Sequence, residues 1–277
     1  MSASFPYSDP TARQLSFPKY FHYQPFCNEH RGYLRDILEN HRLFFSDPHK
    51  FNDPWDCRPW FDSRSVLEDP IKREDFLTFS RTFLSPEILN HPLRAKYEDL
   101  IRKDDNQLIR AFETSSRLLG EHIALRRMYC LTPFPDNTLM WSHYGDQHRG
   151  ICLEFGKDNP LIERARPVRY QETYPEWTPL AVTDGPLDLV LTKSKDWAYE
   201  REFRILGSLI DGVPTKLDGN FVRLPGDALT GIILGCENQD RNEILELLKA
   251  YAPTVALRRA TRVPNYYRLT ITDESVG

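Results

Sequence analysis

The sequence lacks the features that define several large protein classes. Its 277 residues contain no apolar run of about 18 residues, so it predicts no transmembrane helix. The opening residues MSASFPYSDPTARQ lack the basic region and apolar core of a secretory signal. The five cysteines are scattered and form no C-x-x-C pair, which argues against a disulfide framework or a zinc knuckle and favours a reducing compartment. These absences predict a cytoplasmic protein with no membrane partner.

Excess charge and phosphate-binding glycine motifs are missing as well. The net charge is −4 and the isoelectric point is about 6.1, so no broad nucleic-acid-binding face is indicated. The sequence contains no G-x-S-x-G motif, no P-loop and no dinucleotide-binding glycine motif. His143 and His148 have the spacing of neither a metalloprotease helix nor a zinc finger. We therefore predict no metal site.

What remains is the composition of a folded protein, 40% hydrophobic and 27% charged. Turn residues and hydrophobic periodicity predict a loose arm over residues 1–18 and a single α+β domain over residues 19–277. The sheets are expected to be mixed and mostly antiparallel, with a helical insert at about 69–126 that is broken at Pro86 and near Asp104. The predicted helices outside the insert span residues 31–41, 138–144 and 240–251. The predicted strands span residues 19–26, 42–46, 128–132, 151–155, 167–170, 203–209, 231–234, 255–260 and 266–271.

The stretch 141–155 holds the densest group of polar and aromatic side chains. These include Trp141, His143, Tyr144, His148 and Arg149. Asp136 and Asn137 are suited to cap a short helix, and Gly145 is suited to end it. The polar side chains then lie on a helix end and a loop that leads into a strand. We interpret this stretch as a functional loop, with a polar structural corner as the alternative.

A second constellation lies in residues 195–206. Interpreted as one continuous strand, this segment places Glu200, Glu202 and Arg204 on a single face. Two carboxylates on one face are unfavourable unless a cation lies beside them, and either Arg204 or a ligand would supply it. The alternative is an exposed face with a surface ion pair of little energetic value. A register slip of one residue reverses every side chain, so which of Glu200 and Glu202 faces inward stays open.

Two further motifs precede these. Tyr20 and His22 lie on the predicted first strand, where a lone histidine is more often structural than catalytic. Asn52 and Asp53 lie in the loop Phe51-Asn52-Asp53-Pro54-Trp55, where such side chains commonly bond their own backbone.

Taken in order, the four motifs resemble the bacterial family known as domain of unknown function 2971. The matching features are Lys19-Tyr20, the loop Phe51 to Trp55, the segment Trp141 to Cys152, and Trp197 to Arg204 with its two glutamates. The resemblance covers about residues 19 to 270. It implies a map of motifs and no activity, because the biochemistry of that family is not established.

The opening order of strand, helix, turn and strand is also similar, more distantly, to ADP-ribosyltransferase folds. This resemblance implies a split-sheet core that binds NAD in a cleft between two sheets. It implies Glu202 as the catalytic carboxylate, Glu200 beside the acceptor, and His143 or Tyr144 at the middle position. The implied NAD-binding residues are Tyr20, His22, Asn52, Asp53, Trp141, His148, Arg149 and Arg204.

Three functions are therefore carried forward. The first is an NAD-using ADP-ribosyltransferase or NAD glycohydrolase in a toxin or phage-defence setting, whose macromolecular acceptor, protein or nucleic acid, stays open. The second is a nucleic-acid-processing or nucleic-acid-binding defence protein in which His143, His148, Arg149, Glu200 and Glu202 form a nuclease-like acid/base or metal cluster. The third is a non-catalytic module in which the motifs serve the fold.

Overall fold

The computed structural model describes residues 17–27, 29–58, 62–82, 90–174, 187–208 and 215–274. Its α-helices are α1 (Glu29–Asn40), α2 (Ser63–Glu68), α3 (Pro70–Thr82), α4 (Arg94–Lys103), α5 (Asp105–Ala124), α6 (Thr138–His143), α7 (Leu187–Val190) and α8 (Arg241–Tyr251). Its strands are β1 (Lys19–Gln24), β2 (Arg42–Phe44), β3 (Arg126–Leu131), β4 (Ile151–Gly156), β5 (Arg166–Pro167), β6 (Arg169–Gln171), β7 (Thr192–Ser194), β8 (Phe203–Ser208), β9 (Phe221–Arg223), β10 (Leu229–Leu234), β11 (Ala256–Arg262) and β12 (Leu269–Asp273). Within these residues, no helix has both the length and the apolar character needed to span a membrane.

The largest sheet has five strands in the order β1-β4-β10-β11-β12. Strand β4 lies between two antiparallel neighbours and is buried from Ile151 to Phe155, as expected for a strand covered on both faces. Helix α8 connects β10 to β11, which pair in parallel, and β12 closes the sheet antiparallel to β11. The predicted class, α+β with mixed and mostly antiparallel sheets, is confirmed.

A second sheet, β3-β8-β5, meets the first at the end of β3. There the backbone N–H groups of Phe21 and Thr132 each donate to the carbonyl of the other. The main hydrophobic core includes residues of both sheets together with Leu34, Ile37 and Leu38 of α1. The predicted i, i+3, i+4 apolar stripe of that helix is confirmed, because all three side chains are buried.

The helical insert begins earlier than the sequence indicated. Its first helix starts at Ser63 because Asp62 accepts a hydrogen bond from the backbone N–H of Arg64 and caps it. The break predicted near Asp104 is confirmed, since α4 ends at Lys103 and α5 begins at Asp105. The break at Pro86 lies outside the described residues. So does the predicted arm 1–18, apart from residues 17 and 18.

The prediction of one continuous strand over residues 195–206 is wrong. Lys195–Glu200 is a 3₁₀ helix, capped by the Ser194 hydroxyl, and β8 begins only at Phe203. Arg201 has a left-handed backbone with φ of 46°, so the chain turns sharply between the two elements. The alternation of faces proposed from a two-residue period therefore does not hold before residue 203.

Candidate functional site

Five charged side chains are buried together between the second sheet and the loop that follows β2. We call them the ion cluster: Asp56, Lys193, Glu200, Glu202 and Arg204. Each residue is exposed by no more than 7%. Charged groups are almost never buried this deeply unless they are paired, so the pairing within the cluster determines what each group can do.

Arg204 is the structural centre of the ion cluster. Its Nε and Nη2 atoms donate to Glu202 at 2.8 Å each, and Nη1 and Nη2 donate to the Asp56 carboxylate at 2.9 and 2.6 Å. Nη1 also donates to the Val190 carbonyl at 2.7 Å. A guanidinium has five N–H groups, and these contacts use all of them. The predicted role of Arg204 in binding a phosphate is therefore incompatible with the structure, because the side chain is fully buried and fully occupied.

Lys193 is the second cation of the cluster, and it lies outside the motifs singled out in the sequence. Its Nζ lies 2.7 Å from Glu200 Oε2 and 3.5 Å from both Asp56 Oδ2 and Glu202 Oε2. It also lies 4.8 Å from the ring centroid of Trp197. Burial alone would lower the lysine pKa, but the surrounding carboxylates outweigh it and raise that pKa above its ordinary value. The carboxylates at positions 200 and 202 outnumber the single cation Arg204, and this surplus is the feature of the sequence that indicates a second cation.

The two glutamates differ in their electrostatics. Burial would raise the pKa of Glu202, but Arg204 and Lys193 outweigh it and hold that pKa at about 2. Burial raises the pKa of Glu200 above its usual range, because the opposing effect of Lys193 is smaller and Glu202 adds repulsion. Both carboxylates face inward, so their orientation does not distinguish them. The groups that each carboxylate contacts do. Glu202 is a permanent anion of the scaffold, and Glu200 is the one suited to accept a proton.

Tyr144 connects Glu200 to the protein surface. The Tyr144 hydroxyl donates to Glu200 Oε1 at 2.6 Å, and Asn52 Nδ2 lies 3.5 Å from the same hydroxyl. Burial and the neighbouring Glu200 raise the tyrosine pKa, so the phenol stays protonated. We refer to these two residues as the Tyr144–Glu200 pair. Lys193 holds the other oxygen of the same carboxylate.

The pair is positioned by the cap of α6. Asn137 Oδ1 accepts from the backbone N–H groups of Leu139 and Met140, as predicted for a cap in this region. Its Nδ2 donates to the Tyr199 carbonyl at 2.7 Å, which ties α6 to the 3₁₀ helix ending at Glu200. One asparagine thus fixes both halves of the Tyr144–Glu200 pair relative to each other.

Tyr144 lines a cavity of about 340 Å³. We call its inner part the side lined from β1, β3 and the end of α6, by His22, Gln24, Tyr129, His143 and Tyr144. We call its outer part the side lined from α1, β2 and β9, by Tyr33, Asp36, Arg42, Phe44 and Phe221. A second cavity of about 290 Å³ lies on the Lys193 side of the cluster and is lined in part by Trp55, Asp56 and Trp197. Glu200 therefore bonds through one oxygen to the wall of each cavity.

His22 contributes a fixed hydrogen-bond acceptor to the inner part. Its Nδ1 atom lies 2.7 Å from the Cys130 carbonyl oxygen, which can only accept, so Nδ1 carries the proton and Nε2 is left with its lone pair. Burial lowers the His22 pKa to about 4, although the bond to Cys130 opposes this. The ring stacks on Tyr129 at 4.3 Å between centroids. His22 is therefore neutral at physiological pH.

Several polar atoms around the cavity have no partner among the described residues. Gln24 Nε2, His30 Nδ1 and Tyr129 Oη are buried without a hydrogen bond, and all three residues line the cavity. An unsatisfied buried polar group costs about 1–3 kcal/mol. These three groups are therefore available to hydrogen-bond water or a polar ligand in the cavity.

The loop after α6 is shaped by close backbone contacts. Asp146, Gln147 and His148 are all left-handed, with φ of 48°, 53° and 67°. Gly145 was expected to adopt this left-handed conformation, and it does not. The position needs a glycine for lack of space, because a Cβ there would lie 2.6 Å from the Trp141 ring. The loop is a strained structural corner as well as the support of Tyr144.

The remaining predicted residues lie elsewhere. Trp141 is fully buried, and its Nε1 donates to the Pro135 carbonyl at 2.9 Å, so it cannot stack on a nicotinamide ring. His148 packs on Trp141 and lies 3.2 Å from the Ser142 hydroxyl, and Arg149 pairs with Asp146 at 2.9 Å. Neither of them is among the residues that line the two cavities.

The first motif and the aspartate of the loop also serve the core. Tyr20 is buried against Phe203, with ring centroids 5.1 Å apart. Asp53 is buried, and its Oδ1 accepts from the backbone N–H of Trp55, while Oδ2 has no partner. Of the predicted site residues, the structure brings His22, His143 and Tyr144 to one cavity, with Asn52 and Glu200 directly behind Tyr144.

One sequence match covers most of α6 and every member of the ion cluster except Asp56. Residues 140–205 match the family model described as "Protein of unknown function (DUF2971)". This supports the family resemblance over a segment that includes Tyr144, Lys193, Glu200 and Glu202. No curated protein and no solved structure matches the chain, so the resemblance to ADP-ribosyltransferases gains no support. Among the described residues, no group of three or more His, Cys, Asp or Glu side chains is placed to hold a metal ion.

Proposed function

We propose that this protein is an enzyme that cleaves the nicotinamide–ribose bond of NAD in the cavity, with the Tyr144–Glu200 pair as the proton acceptor. The observation that carries the proposal is the 2.6 Å hydrogen bond from Tyr144, on the cavity wall, to a buried carboxylate of raised pKa. A buried carboxylate with a pKa moved toward neutrality is suited to general-base catalysis.

The chemistry needs a base and no acid. Nicotinamide leaves as a neutral molecule with the electron pair of the C–N bond, so its departure requires no proton. A new bond forms between ribose C1′ and the oxygen of water or of an acceptor hydroxyl. The proton of that oxygen passes to the Tyr144 hydroxyl while the tyrosine proton passes to Glu200. The site supplies this single acceptor.

The charge of the ion cluster suits a cationic transition state. It holds three carboxylates and two cations, so it carries one net negative charge when all are ionised. Cleavage of a glycosidic bond develops positive charge on the ribose, and a preorganised negative field stabilises it. The neutral His22 Nε2 offers an acceptor for a ribose hydroxyl, and Gln24 and Tyr129 offer further polar contacts. In this proposal Glu200 takes the catalytic role that the sequence had indicated for Glu202.

The test is release of nicotinamide from NAD by purified protein, followed chromatographically. Tyr144→Phe keeps the ring and removes the hydroxyl, and Glu200→Gln keeps the shape and removes the base. Each should lower the turnover rate by about 100-fold or more, as expected for loss of a general base. Glu121→Gln, on an exposed helical ion pair, is the matched control and should retain full activity. A wild-type protein that releases no nicotinamide, with or without protein and nucleic-acid acceptors, would overturn the proposal.

A second candidate is favoured by a different observation. Asp56, Glu202 and Arg204 satisfy one another inside the protein, so part of the motif serves the fold. In a purely non-catalytic module the same would hold for the Tyr144–Glu200 pair. Tyr144→Phe would then lower the melting temperature, and NAD would neither stabilise the protein nor be consumed.

A further inference from the structure

The outer part of the cavity is formed by aromatic rings. Tyr33 and Phe44 stack with centroids 5.6 Å apart and an interplanar angle of 15°, and Phe44 meets Phe221 edge-on at 5.5 Å. The Arg42 guanidinium lies 4.2 Å from the Phe221 ring centroid. We call these four residues the aromatic rim: Tyr33, Arg42, Phe44 and Phe221. They combine flat apolar faces with one cation.

The short ribbon β2–β9 presents this rim to the cavity. Phe44 pairs with Phe221 across the ribbon, and Leu43 between Arg42 and Phe44 points into the core with no exposure. Because side chains alternate along a strand, Arg42 and Phe44 share the opposite face. That face would normally be polar, but here it holds a phenylalanine and an arginine at the mouth of a cavity.

Arg42 is held in place and remains accessible. Its Nε donates to Asp36 Oδ2 at 2.7 Å, and 44% of its side chain is exposed. Arginine stacks on aromatic rings and binds phosphate with two parallel hydrogen bonds. The side chain therefore has free N–H groups to offer an anion directly beside the rings.

The cavity is too small to hold a whole dinucleotide. A volume of about 340 Å³ is near the lower limit of small-molecule sites, ~300 Å³. A cavity of this size accommodates about one nucleoside, so the other half of a dinucleotide has to extend past it, over the exposed side chains of Tyr33 and Arg42. Gln24 and His30 also line the cavity, and their buried Nε2 and Nδ1 atoms, which have no partner among the described residues, offer polar contacts to a base or a ribose.

We propose that the aromatic rim is the subsite for the adenine nucleotide half of the substrate. The base packs against Tyr33, Phe44 and Phe221, and the adjacent phosphate binds Arg42. The ribose–nicotinamide half then lies in the inner part, against His22 and the Tyr144–Glu200 pair. This assignment rests on the proposed function for the identity of the substrate, and it adds the residues that select an adenine nucleotide.

The test measures AMP and adenosine binding by calorimetry, which needs no turnover. Wild-type protein should bind AMP more tightly than adenosine. Phe44→Ala should weaken both by about 10-fold or more, because a base stacked on an aromatic side chain contributes that much. Phe44→Leu keeps the apolar volume and removes the ring, so it should show the same loss with an unchanged melting temperature. Arg42→Ala should abolish the preference for AMP over adenosine.

Two controls separate this inference from the proposed function. Arg35→Ala, on the same helix as Tyr33 but paired with Glu39 and absent from the cavity lining, should leave AMP binding unchanged. Tyr144→Phe should also leave it unchanged. AMP binding that depends on Phe44 and Arg42 in a protein that does not cleave NAD would uphold the subsite and reject the reaction. NAD cleavage together with AMP binding that ignores both substitutions, or no AMP binding at millimolar concentration, would overturn the subsite.

Discussion

Arg204 joins two carboxylates that would otherwise repel each other inside the protein. Both Asp56 and Glu202 are buried and depend on its guanidinium for their hydrogen bonds. Such a residue acts on the shape of the site and not on a substrate. Its pairing explains how β8 can carry a charged side chain and nevertheless be buried.

Removal of Arg204 should therefore be severe. We expect Arg204→Met to lower the free energy of unfolding by about 3–5 kcal/mol, because it leaves buried carboxylates without their partner. Urea denaturation measures this directly. Arg117→Met breaks an exposed ion pair with Glu121 and should change stability by less than about 1 kcal/mol. Equal effects of the two substitutions would show that the cluster does not hold the fold.

Glu202 gives the protein a defined sensitivity to acid. Its folded-state pKa of about 2 lies below the unfolded value of ~4.3. A carboxyl shifted in this direction contributes stability that is complete above the unfolded pKa and is lost as pH falls through the folded pKa.

We accordingly expect the stability difference between wild type and Glu202→Gln to be largest above about pH 5 and to shrink toward pH 2. Urea midpoints measured over this range test the prediction. A difference that stays constant with pH would mean that Glu202 is not the anion that Arg204 and Lys193 stabilise. Asp99→Asn, on an exposed i, i+4 pair, is the control and should show little pH-dependent difference.

The residue scale is also where sequence analysis was least complete. Glu200 and Glu202 stand out in the sequence as two carboxylates beside Arg204, but their partners Lys193 and Asp56 lie outside the predicted strand. Burial and charge pairing are tertiary properties, so no local pattern distinguishes a scaffold carboxylate from a reactive one.

At the scale of elements, the corner between α6 and β4 depends on three glycines that allow close packing: Gly145, Gly150 and Gly235. A Cβ at Gly235 would lie 2.0 Å from the His148 carbonyl oxygen, and one at Gly150 would lie 2.4 Å from that of Gln24. These contacts lock the left-handed residues of the loop against β1 and β10. The loop therefore holds Tyr144 in a fixed position.

Gly235→Ala should destabilise the protein by about 2 kcal/mol or more, since backbone atoms have to move to admit the methyl group. Gly120→Ala is the matched control: it lies in α5 with nothing within 4 Å of the added Cβ. That substitution should be neutral or should stabilise by up to about 1 kcal/mol. Thermal unfolding of the two variants should shift in opposite directions, and a shared direction would contradict the packing described here.

The elements predicted well are those with a local cause. Helix α1 follows from its apolar stripe, and α6 follows from its asparagine cap and short length. The 3₁₀ helix Lys195–Glu200 was missed because a single serine cap and a left-handed Arg201 decide it, while the alternating pattern around it is equally compatible with a strand. Short elements of this kind are determined by what they pack against.

At the scale of the whole molecule, the helical insert has a small core of its own. It includes Phe76, Leu77, Ile101, Leu108 and Phe112, which cluster separately from the residues of the sheets. The candidate site draws none of its named side chains from this region. The two parts should therefore respond separately to damage in the insert.

Phe76→Ala should show that the insert unfolds separately from the sheets. Loss of a fully buried phenylalanine removes about 3–5 kcal/mol of packing, and we expect faster hydrogen exchange throughout α3, α4 and α5. Protection of β4 and β8 should remain. Mass spectrometry of deuterium uptake resolves these segments. Uniform loss of protection across the chain would show that the insert and the sheets unfold as one unit.

The class of the whole fold was predictable, because mixed strands with few β-α-β repeats favour α+β. The order of strands within the sheets was not predictable. It depends on pairings between distant segments, such as β3 with β8 and β1 with β4, and a single sequence carries no information on which distant strands meet.

One of these pairings also governs how the chain is made. Strand β1 is among the first described elements, yet Lys19 bonds Glu154, a residue 135 positions later. At translation rates of ~5–20 residues per second, β1 waits about 7–27 s for its partner. During that time Tyr20, Phe21 and Tyr23, all buried in the finished protein, have no sheet to cover them. We therefore expect fragments that end before β4 to be prone to aggregate, because these side chains stay exposed in them.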